Sequence, residues 1–310
     1  MFEGIAEDSV SGATALTELA AREMAALAET WQAGDPGSVW NELLAACAAL
    51  IDAKREMASI INFVSRLLAA AERVVLSGLA PEAVVQIVSS ECARTWQSIA
   101  DDLEALGREG AELIRPGATV LTLSSSGSVR AVLDAARAAG IPFRVVVSEG
   151  RPRHEGVAVA GELAAAGIET ALVVDSALPG LARQADLVLV GADCVSAEDF
   201  VNKIGTYPLL LAARDRGIPS FAAALLEKFL PKALRGPVDT QRPPGEIIVD
   251  PPKGLAVDNR YFESVPTALL EGVVTQDGVV APLEIAERLQ AQAVAPALLG
   301  VLFRKAGAAA

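Results

Sequence analysis

The first 110 residues carry the hydrophobic spacing that is typical of helices. Apolar side chains recur at three- and four-residue intervals in residues 10–32, after Ser38, and from about Pro81 to Gly110, which predicts three helices. Asp35-Pro36-Gly37 separates the first two, and Ser38 is a suitable N-cap for a helix that reaches about residue 72. Val74-Val75-Leu76 is a short, ambiguous β-like run. We therefore predict a helical N-terminal domain over residues 1–114.

After Gly117 the pattern changes to short apolar runs that alternate with Ala-rich helices. Strands are predicted at 119–123, 143–147, 170–174, 187–190 and 220–224, and helices at 128–139, 157–166, 178–183 and 204–216. Strands this apolar, separated by single helices, indicate a parallel sheet covered on both faces. Right-handed crossovers then give an α/β, Rossmann-like doubly wound domain over residues 115–310. Residues 230–258, rich in Pro and Gly, predict a long loop, and residues 283–304 a last helical region.

The acidic composition narrows the class of partner. The chain has 310 residues, of which 52% are hydrophobic and 4% aromatic, and a formal net charge of −13. This charge argues against nucleic acid, because phosphate contacts need clustered cations. No uncharged apolar stretch approaches the ~20 residues that span a bilayer, and no signal peptide is visible. Three scattered cysteines and one histidine disfavour both a disulfide framework and a zinc site. We expect a cytoplasmic protein without nucleic-acid or membrane partners.

Ligands of doubly wound sheets bind at the carboxyl ends of the strands, so the residues after each strand are candidates. The first strand is followed by Ser124-Ser125-Ser126-Gly127-Ser128, directly before a helix. Helix-start amides and hydroxyls attract anions, which suits a phosphate; alternatively, Ser126 or Ser128 only caps the helix. After the second strand, Arg151 and Arg153 could clamp a phosphate or lie in a solvated loop, and His154 is expected at the surface.

Charged and polar side chains follow the other predicted strands. They are Asp175 after the third, Asp193 after the fourth, Asn202 and Lys203 before the next helix, and Glu227 and Lys228 after the fifth. A carboxylate that emerges from a buried strand loses hydration and can exchange protons, although Asp193 could equally be a loop or cap residue. Together these side chains predict an enzyme-like rim of acids, amides and cations. A nicotinamide dehydrogenase is disfavoured because the chain lacks GxGxxG.

One long motif resembles a known family. The run GADCVSAEDFVNKIGTY at 191–207 is similar to the signature of the initiation-factor-two-B-like family, with further matches at Glu149, Arg151-Pro152, Glu155-Gly156, 174–176 and 259–266. That family joins methylthioribose-1-phosphate isomerase, ribose-1,5-bisphosphate isomerase and the regulatory alpha, beta and delta subunits of eukaryotic initiation factor two-B. The resemblance covers roughly residues 115–285, and the helical N-terminal domain is consistent with it.

The resemblance implies an aldose–ketose isomerase of a phosphorylated pentose that needs no cofactor and forms a homodimer. Its catalytic pair would be Asp193 and the residue at Ser124, where the isomerases of this family carry a cysteine. A serine hydroxyl does not ionise usefully without a partner base, so turnover could be weak or lost. The alternative is a non-catalytic sensor of a sugar phosphate or nucleotide, comparable to the regulatory subunits.

The resemblance also implies which groups recognise the phosphate. Gly12 and Ala13 stand in a stretch that lacks the arginine of the isomerases. Recognition would then rest on the remaining cations and the serine loop: Arg151, Arg153, Lys203, Lys228, Ser125, Ser126 and Gly127. Asn202 and Lys203 would stabilise a developing enediolate as oriented donors. Cys194 would point away from the ligand, because neighbouring strand residues face opposite sides.

Overall fold

The computed structural model describes residues 1–8, 12–31, 35–238, 240–292 and 294–303. The chain forms two compact units, one of Met1–Asp101, Lys232–Gly236 and Gln290–Ala310, and one of Asp102–Pro231 and Pro237–Leu289. The sequence prediction had a single boundary after residue 114 and placed the whole C-terminal part in the second domain. The C-terminal helix instead joins the helical unit, because its apolar residues Leu298, Val301 and Leu302 are buried and it contacts two of the helices there.

The helical unit is built from segments close to those predicted. Its helices are α1 Glu3–Glu7, α2 Ala13–Ala28, α3 Pro36–Ala53, α4 Ala58–Leu76, the start of α5 Pro81–Ala111, and α10 Pro296–Leu302. The ambiguous run Val74-Val75-Leu76 lies inside α4. The predicted last helical region is interrupted, since α9 Ile285–Gln290 ends before α10 begins.

The prediction of one helix from Ser38 to about residue 72 was wrong. The chain breaks between α3 and α4, where Lys54 donates from Nζ to the carbonyl of Asp8 at 2.6 Å. Apolar spacing continues across this break, so periodicity alone does not reveal it. The N-cap is Asp35 rather than Ser38, because Oδ1 of Asp35 accepts hydrogen bonds from the amides of Gly37 and Ser38 at 2.9 and 3.0 Å.

The second unit contains a seven-stranded sheet. Its strands are β1 Ala118–Thr122, β2 Phe143–Ser148, β3 Glu169–Val173, β4 Leu187–Gly191, β7 Ser220–Ala223, β9 Gly272–Thr275 and β10 Gly278–Val280. They lie in the order β10-β9-β7-β4-β1-β2-β3. All neighbours pair in parallel except β9 and β10. The predicted α/β fold class, with helices first and a doubly wound parallel sheet after them, is confirmed. The sequence analysis found five of the seven strands and missed β9 and β10.

The crossover helices are α6 Gly127–Ala138, α7 Glu155–Ala165 and α8 Thr206–Asp215. The short helix predicted at 178–183 is a pair of 3-10 turns, Asp175–Ala177 and Pro179–Gln184. Two apolar clusters line the faces of the sheet and bury Val188, Val190 and Leu209 on one side and Val145, Leu187 and Leu189 on the other. Burial on both faces explains why the strands read as continuous apolar runs.

A second, smaller sheet was not predicted. It consists of β5 Cys194–Val195, β6 Asp199–Lys203 and β8 Phe262–Pro266, all antiparallel. The segment was read as a loop leading into a helix at Ile204, whereas α8 begins at Thr206 after Gly205, whose φ of 103° is left-handed. The antiparallel pairs place Asn202 and Lys203 on a strand rather than at a helix start. Parallel pairing of β1, β2, β3, β4 and β7 brings the carboxyl ends of these strands to one edge.

Candidate functional site

Ser124 occupies an unusual backbone conformation at the carboxyl end of β1. Its φ is 64°, in the left-handed region that side chains other than glycine rarely adopt. The hydroxyl donates a hydrogen bond of 2.8 Å to Oε1 of Glu155, the first residue of α7. Side-chain hydrogen bonding of this kind offsets a conformational cost of order 1–3 kcal/mol. The serine is therefore held at the edge of the sheet with its hydroxyl committed to a carboxylate.

Glu155 also receives a lysine from the small sheet. Nζ of Lys203, on β6, lies 2.5 Å from the same Oε1, and the two side chains are only 6% and 11% exposed. The other oxygen, Oε2, is buried without a hydrogen-bond partner among the described residues. The carboxylate lies over Gly150, where an added Cβ would meet it at about 3.0 Å. The structure thus joins Ser124 and Lys203 through a residue that the sequence analysis quoted only as a motif match.

The loop after β2 is shaped by a carboxylate from the next strand. Asp175 accepts hydrogen bonds from the amides of Gly150 and Arg151 at 2.9 and 2.7 Å. The guanidinium of Arg151 is exposed and lies 3.3 Å from Nε2 of the exposed His154. Arg153 is exposed as well and pairs with Glu246 at 3.3 Å. The charge of Arg153 is already matched by a carboxylate, whereas that of Arg151 faces only a histidine in these contacts.

The serine loop and β6 meet at Gly191, the last residue of β4. A Cβ there would lie 2.7 Å from Oγ of Ser126 and 3.4 Å from Oδ1 of Asn202, so glycine is needed for this packing. Ser126 caps α6 by accepting a hydrogen bond from the amide of Val129 at 3.4 Å. The sequence analysis gave this capping role as the alternative to phosphate binding. Asn202 is buried and donates from Nδ2 to the hydroxyl of Thr206 at 2.9 Å. Ser125 and Gly127 are exposed.

Asp193 and Lys228 follow β4 and β7 along the chain, and the charge of Asp193 acts on the Lys228 ammonium. Lys228 is buried, and burial lowers the pKa of its ammonium while the carboxylates of Asp193 and Glu227 act to raise it. Asp193 is half-buried, and its amide donates to the carbonyl of Val201 at 2.8 Å. A lysine with a lowered pKa beside a carboxylate is a group that can give and take protons. Cys194, the next residue along, is fully buried in β5.

A cavity of about 640 Å³ opens on this side of the second unit. It is lined by Arg151, Pro152, Ile204, Ile247 and residues 258–260, and its volume falls in the range of small-molecule sites. Beside it, burial acts to raise the pKa of Glu246, but hydrogen bonds from Tyr261, Asn259 and Arg153 outweigh burial and lower that pKa. The loop after β2 and Ile204, the residue that follows β6, therefore line one pocket.

Two expected phosphate contacts lie in the other unit. Gly12 is the N-cap of α2, and the buried Ala13 is the first residue of that helix; Ser11, which precedes them, falls outside the described residues. The residue that sequence reasoning missed is Glu155. Its signal was present in the run Arg-Pro-Arg-His-Glu-Gly, where Gly156 approaches the carbonyl of Ser148 so closely that a Cβ would lie at 1.8 Å.

The described part of the chain contains neither a helix suited to cross a membrane nor a metal-binding cluster. None of its helices combines the length and the apolar character that a membrane crossing requires. Across the same residues, no cluster of three or more His, Cys, Asp or Glu side chains is arranged to hold a metal ion.

Comparison with known proteins agrees with the resemblance. Ribose 1,5-bisphosphate isomerase of Haloterrigena turkmenica is 31% identical over 296 residues, covering 90% of this chain and 88% of that protein. Methylthioribose-1-phosphate isomerase of Chloroflexus aurantiacus is 31% identical over 293 residues, covering 88% and 84%. The crystal structure of translation initiation factor eIF-2B from Pyrococcus horikoshii superposes with a TM-score of 0.78 at 24% identity, covering 91% of this chain and 95% of that one, which supports the fold. A model of the initiation factor 2 subunit family matches residues 9–282. The predicted resemblance is confirmed: the chain belongs to the initiation factor 2 subunit family.

Proposed function

We propose that this protein is a sugar-phosphate isomerase that converts the aldose form of a pentose 1-phosphate into the ketose. The substrates named for the relatives, ribose 1,5-bisphosphate and methylthioribose 1-phosphate, share a phosphate on C1. Relatives named as isomerases match almost the whole chain, so the proposal does not depend on one segment. No step of this chemistry requires a cofactor, because carbon oxidation at C2 is balanced by reduction at C1.

The reaction places defined demands on the site. The bond between C1 and the ring oxygen breaks and the ring oxygen gains a proton. C2 loses its hydrogen, C1 gains one, and the C2 hydroxyl gives up its proton as the carbonyl forms. The site must therefore supply a group that moves a proton between two neighbouring carbons, an acid near the ring oxygen and an acceptor near O2.

The observation that carries the proposal is the pairing of Asp193 with the buried Lys228. In our proposal the carboxylate of Asp193 takes the proton from C2 and returns it at C1, and the ammonium of Lys228 protonates the ring oxygen. Burial makes that ammonium a readier acid, since it lowers the pKa of Lys228. Asn202 and Lys203 stabilise the enediolate that forms between the two transfers. Ser124 binds O2 or the ring oxygen.

Phosphate recognition belongs to the groups around this centre. We assign the C1 phosphate to Arg151 and to the serine loop of Ser125, Ser126 and Gly127, with Arg153 as a further contact. Arg151 is favoured among the cations because it lines the cavity and pairs with no carboxylate among the residues that the structure describes. A hydrogen bond from a charged guanidinium is stronger than one between neutral groups, so an arginine suits a phosphate that carries two negative charges.

The homodimer and the cytoplasmic location remain proposals based on the family resemblance. Size-exclusion chromatography with light scattering measures the assembly directly. A monomer at micromolar concentration, or a requirement for a different subunit, would contradict the homodimer.

Turnover is the decisive measurement. The purified protein is incubated with ribose 1,5-bisphosphate or methylthioribose 1-phosphate, and ¹³C NMR follows the appearance of a ketone at C2. We expect product with at least one substrate and loss of product in Asp193→Asn, because removing a proton-transfer group costs about 100- to 10,000-fold in rate. Asp215→Asn, a change at an exposed carboxylate that is 72% accessible, is the matched control and keeps full activity. Tight binding without turnover would replace the isomerase with a sugar-phosphate sensor.

A further inference from the structure

Glu155 is a carboxylate at the site, with a side chain only 11% exposed, that the reaction described so far does not use. One oxygen accepts both the Ser124 hydroxyl and the Lys203 ammonium, while the other is buried and unpaired among the described residues. Unsatisfied buried polar atoms are rare and destabilising, so each requires an explanation. An ion pair with Lys203 alone would explain a buried charge. It does not explain why a serine hydroxyl is directed at the same oxygen.

We propose that Glu155 is the terminal acceptor of a proton relay that starts at the C2 hydroxyl of the sugar and passes through Ser124. This inference rests on the proposed isomerase function and assigns Glu155 a role within it. Glu155 acts through Ser124 and is a positioning residue in that sense. Lys203 holds the carboxylate in place through the ion pair.

The relay removes the difficulty of a serine at this position. An isolated hydroxyl does not ionise usefully near neutral pH. In a relay no alkoxide is needed, because Oγ of Ser124 accepts the O2 proton while its own proton passes to Glu155. The carbonyl at C2 forms, the serine stays neutral and the carboxylate becomes a carboxylic acid. Solvent then returns this proton to Lys228, which gave one to the ring oxygen, so protons balance over the cycle.

The geometry supports proton transfer in this direction. The distance of 2.8 Å between Oγ and Oε1 is within the range required for a general base. The left-handed φ of 64° fixes the serine backbone, and Gly150 leaves room for the carboxylate to lie against the loop. The ion pair of 2.5 Å with Lys203 anchors the acceptor, and Oε2 offers a second oxygen that can hold a proton.

Two variants test the relay by different routes. Glu155→Gln removes the acceptor but leaves buried Lys203 without its partner, a change that can unfold the protein. Ser124→Ala removes the middle of the relay and leaves the Lys203–Glu155 ion pair intact. We expect each to lower kcat by about 100- to 10,000-fold with little change in KM. The double variant should be no slower than the slower single one, because a relay works as a unit.

The solvent isotope effect separates a relay from a merely structural contact. Two protons move together in the natural protein, so its rate should fall along a curve as the fraction of D₂O rises. Ser124→Ala should lose that curvature. Glu162→Gln is the matched control, since Glu162 lies on the same helix, is 64% exposed and pairs with Arg130; it should behave as the natural protein does.

A third readout does not depend on turnover. In Ser124→Cys, the thiol can be titrated by its thiolate absorbance, and Glu155→Gln in that background should lower the thiol pKa because a neighbouring negative charge is removed. Absence of turnover in the natural protein with both sugar phosphates would overturn the isomerase function and the relay together. The relay alone is overturned if the natural protein turns over and Glu155→Gln keeps its rate, if the two single losses multiply, or if the thiol pKa does not move.

Discussion

The Ser124 hydroxyl and the Glu155 carboxylate are joined by a 2.8 Å hydrogen bond across 31 positions of the chain. The bond ties the loop after β1 to the first residue of α7. Since Lys203 of β6 pairs with the same carboxylate oxygen, three separate elements depend on one oxygen atom. The effects of substitutions at any two of these residues should therefore not be additive, as is usual for neighbours in one hydrogen-bond network.

Ser124→Cys should raise turnover of a pentose 1-phosphate by about 100- to 10,000-fold, the range associated with one general acid or base. A thiol titrates near ~8.5 and can act as an acid or base without a relay, whereas the serine works only through Glu155. Initial rates of ketose formation with both family substrates measure the effect.

Asp193→Asn in the Ser124→Cys background should abolish the gain, because the two groups act as a pair. A natural protein that is already fast, and unchanged by Ser124→Cys, would show that the thiol is not needed here. The prediction of slow natural turnover would then be wrong, while the isomerase proposal would stand.

Lys228→Met should stabilise the fold and inactivate the protein. Burial lowers the pKa of Lys228 from its ordinary value of 10.5, so the unfolded chain binds the extra proton between the lowered value and 10.5. The charged ammonium therefore lowers the free energy of unfolding at neutral pH. This free energy rises with pH through that window, where the folded protein loses the proton more readily than the unfolded chain. Methionine removes the penalty, and each kcal/mol gained should raise Tm by about 2–4 °C.

Thermal unfolding at pH 7 and at pH 10 tests this prediction. The difference in Tm between the natural protein and Lys228→Met should shrink at the higher pH. If Lys228→Met lowers Tm at pH 7, the attraction to Asp193 and Glu227 outweighs burial, and the proposed acid role of the ammonium loses its support.

Arg151→Ala should weaken binding of a phosphorylated pentose far more than that of its unphosphorylated analogue. A lost charge-assisted hydrogen bond costs about 1.5–3 kcal/mol. Arg153→Ala provides the matched comparison, because its guanidinium already pairs with Glu246 at 3.3 Å and has less to offer a phosphate. Calorimetry with both ligands measures the difference. Equal weakening of both ligands by Arg151→Ala would mean that Arg151 does not recognise the phosphate.

The parallel sheet could be predicted because its strands are buried on both faces. Val145, Val146 and Val147 form a continuous apolar run in β2, and such a run is visible in sequence whatever its neighbours are. The small sheet was missed because β5 and β6 are short and carry polar residues such as Asp199 and Asn202. These residues are buried by pairing with β8. Because β8 lies about sixty positions away, the sequence around β6 does not show this pairing.

The residues of the candidate site likewise include some that the sequence suggested and one that it did not. Asp193 and Lys203 could be proposed from the sequence because they follow apolar strands or stand in a recognisable motif. Glu155 was not assigned a role, since its importance comes from contacts with residues 31 and 48 positions away, Ser124 and Lys203. Sequence spacing locates the ends of strands, but it does not say which side chains meet above the sheet edge.

Glu263→Ala should destabilise the second unit through the start of α8. Oε1 of Glu263 accepts from the amides of Gly205 and Tyr207 at 2.8 and 2.9 Å, so it serves as a capping group for this helix. Losing a cap costs about 0.5–2 kcal/mol. Glu263→Gln keeps an acceptor oxygen and should lose less. Urea unfolding of both variants tests this, and an alanine variant as stable as the natural protein would show that water replaces the carboxylate.

Tyr261 should titrate well above an ordinary tyrosine. Burial, together with its hydrogen bond to Glu246 and the charge of that carboxylate, raises the pKa of Tyr261 to about 12. The chain has two tyrosines, so Tyr207→Phe leaves Tyr261 as the only phenol, and its ultraviolet absorbance can be followed against pH. Because the folded pKa exceeds the unfolded value of about 10, the contribution to stability is complete below pH 10 and is lost as pH rises towards 12. Tyr261→Phe should remove that part of the alkaline loss. A midpoint near 10 would show that the hydrogen bond to Glu246 does not persist in solution.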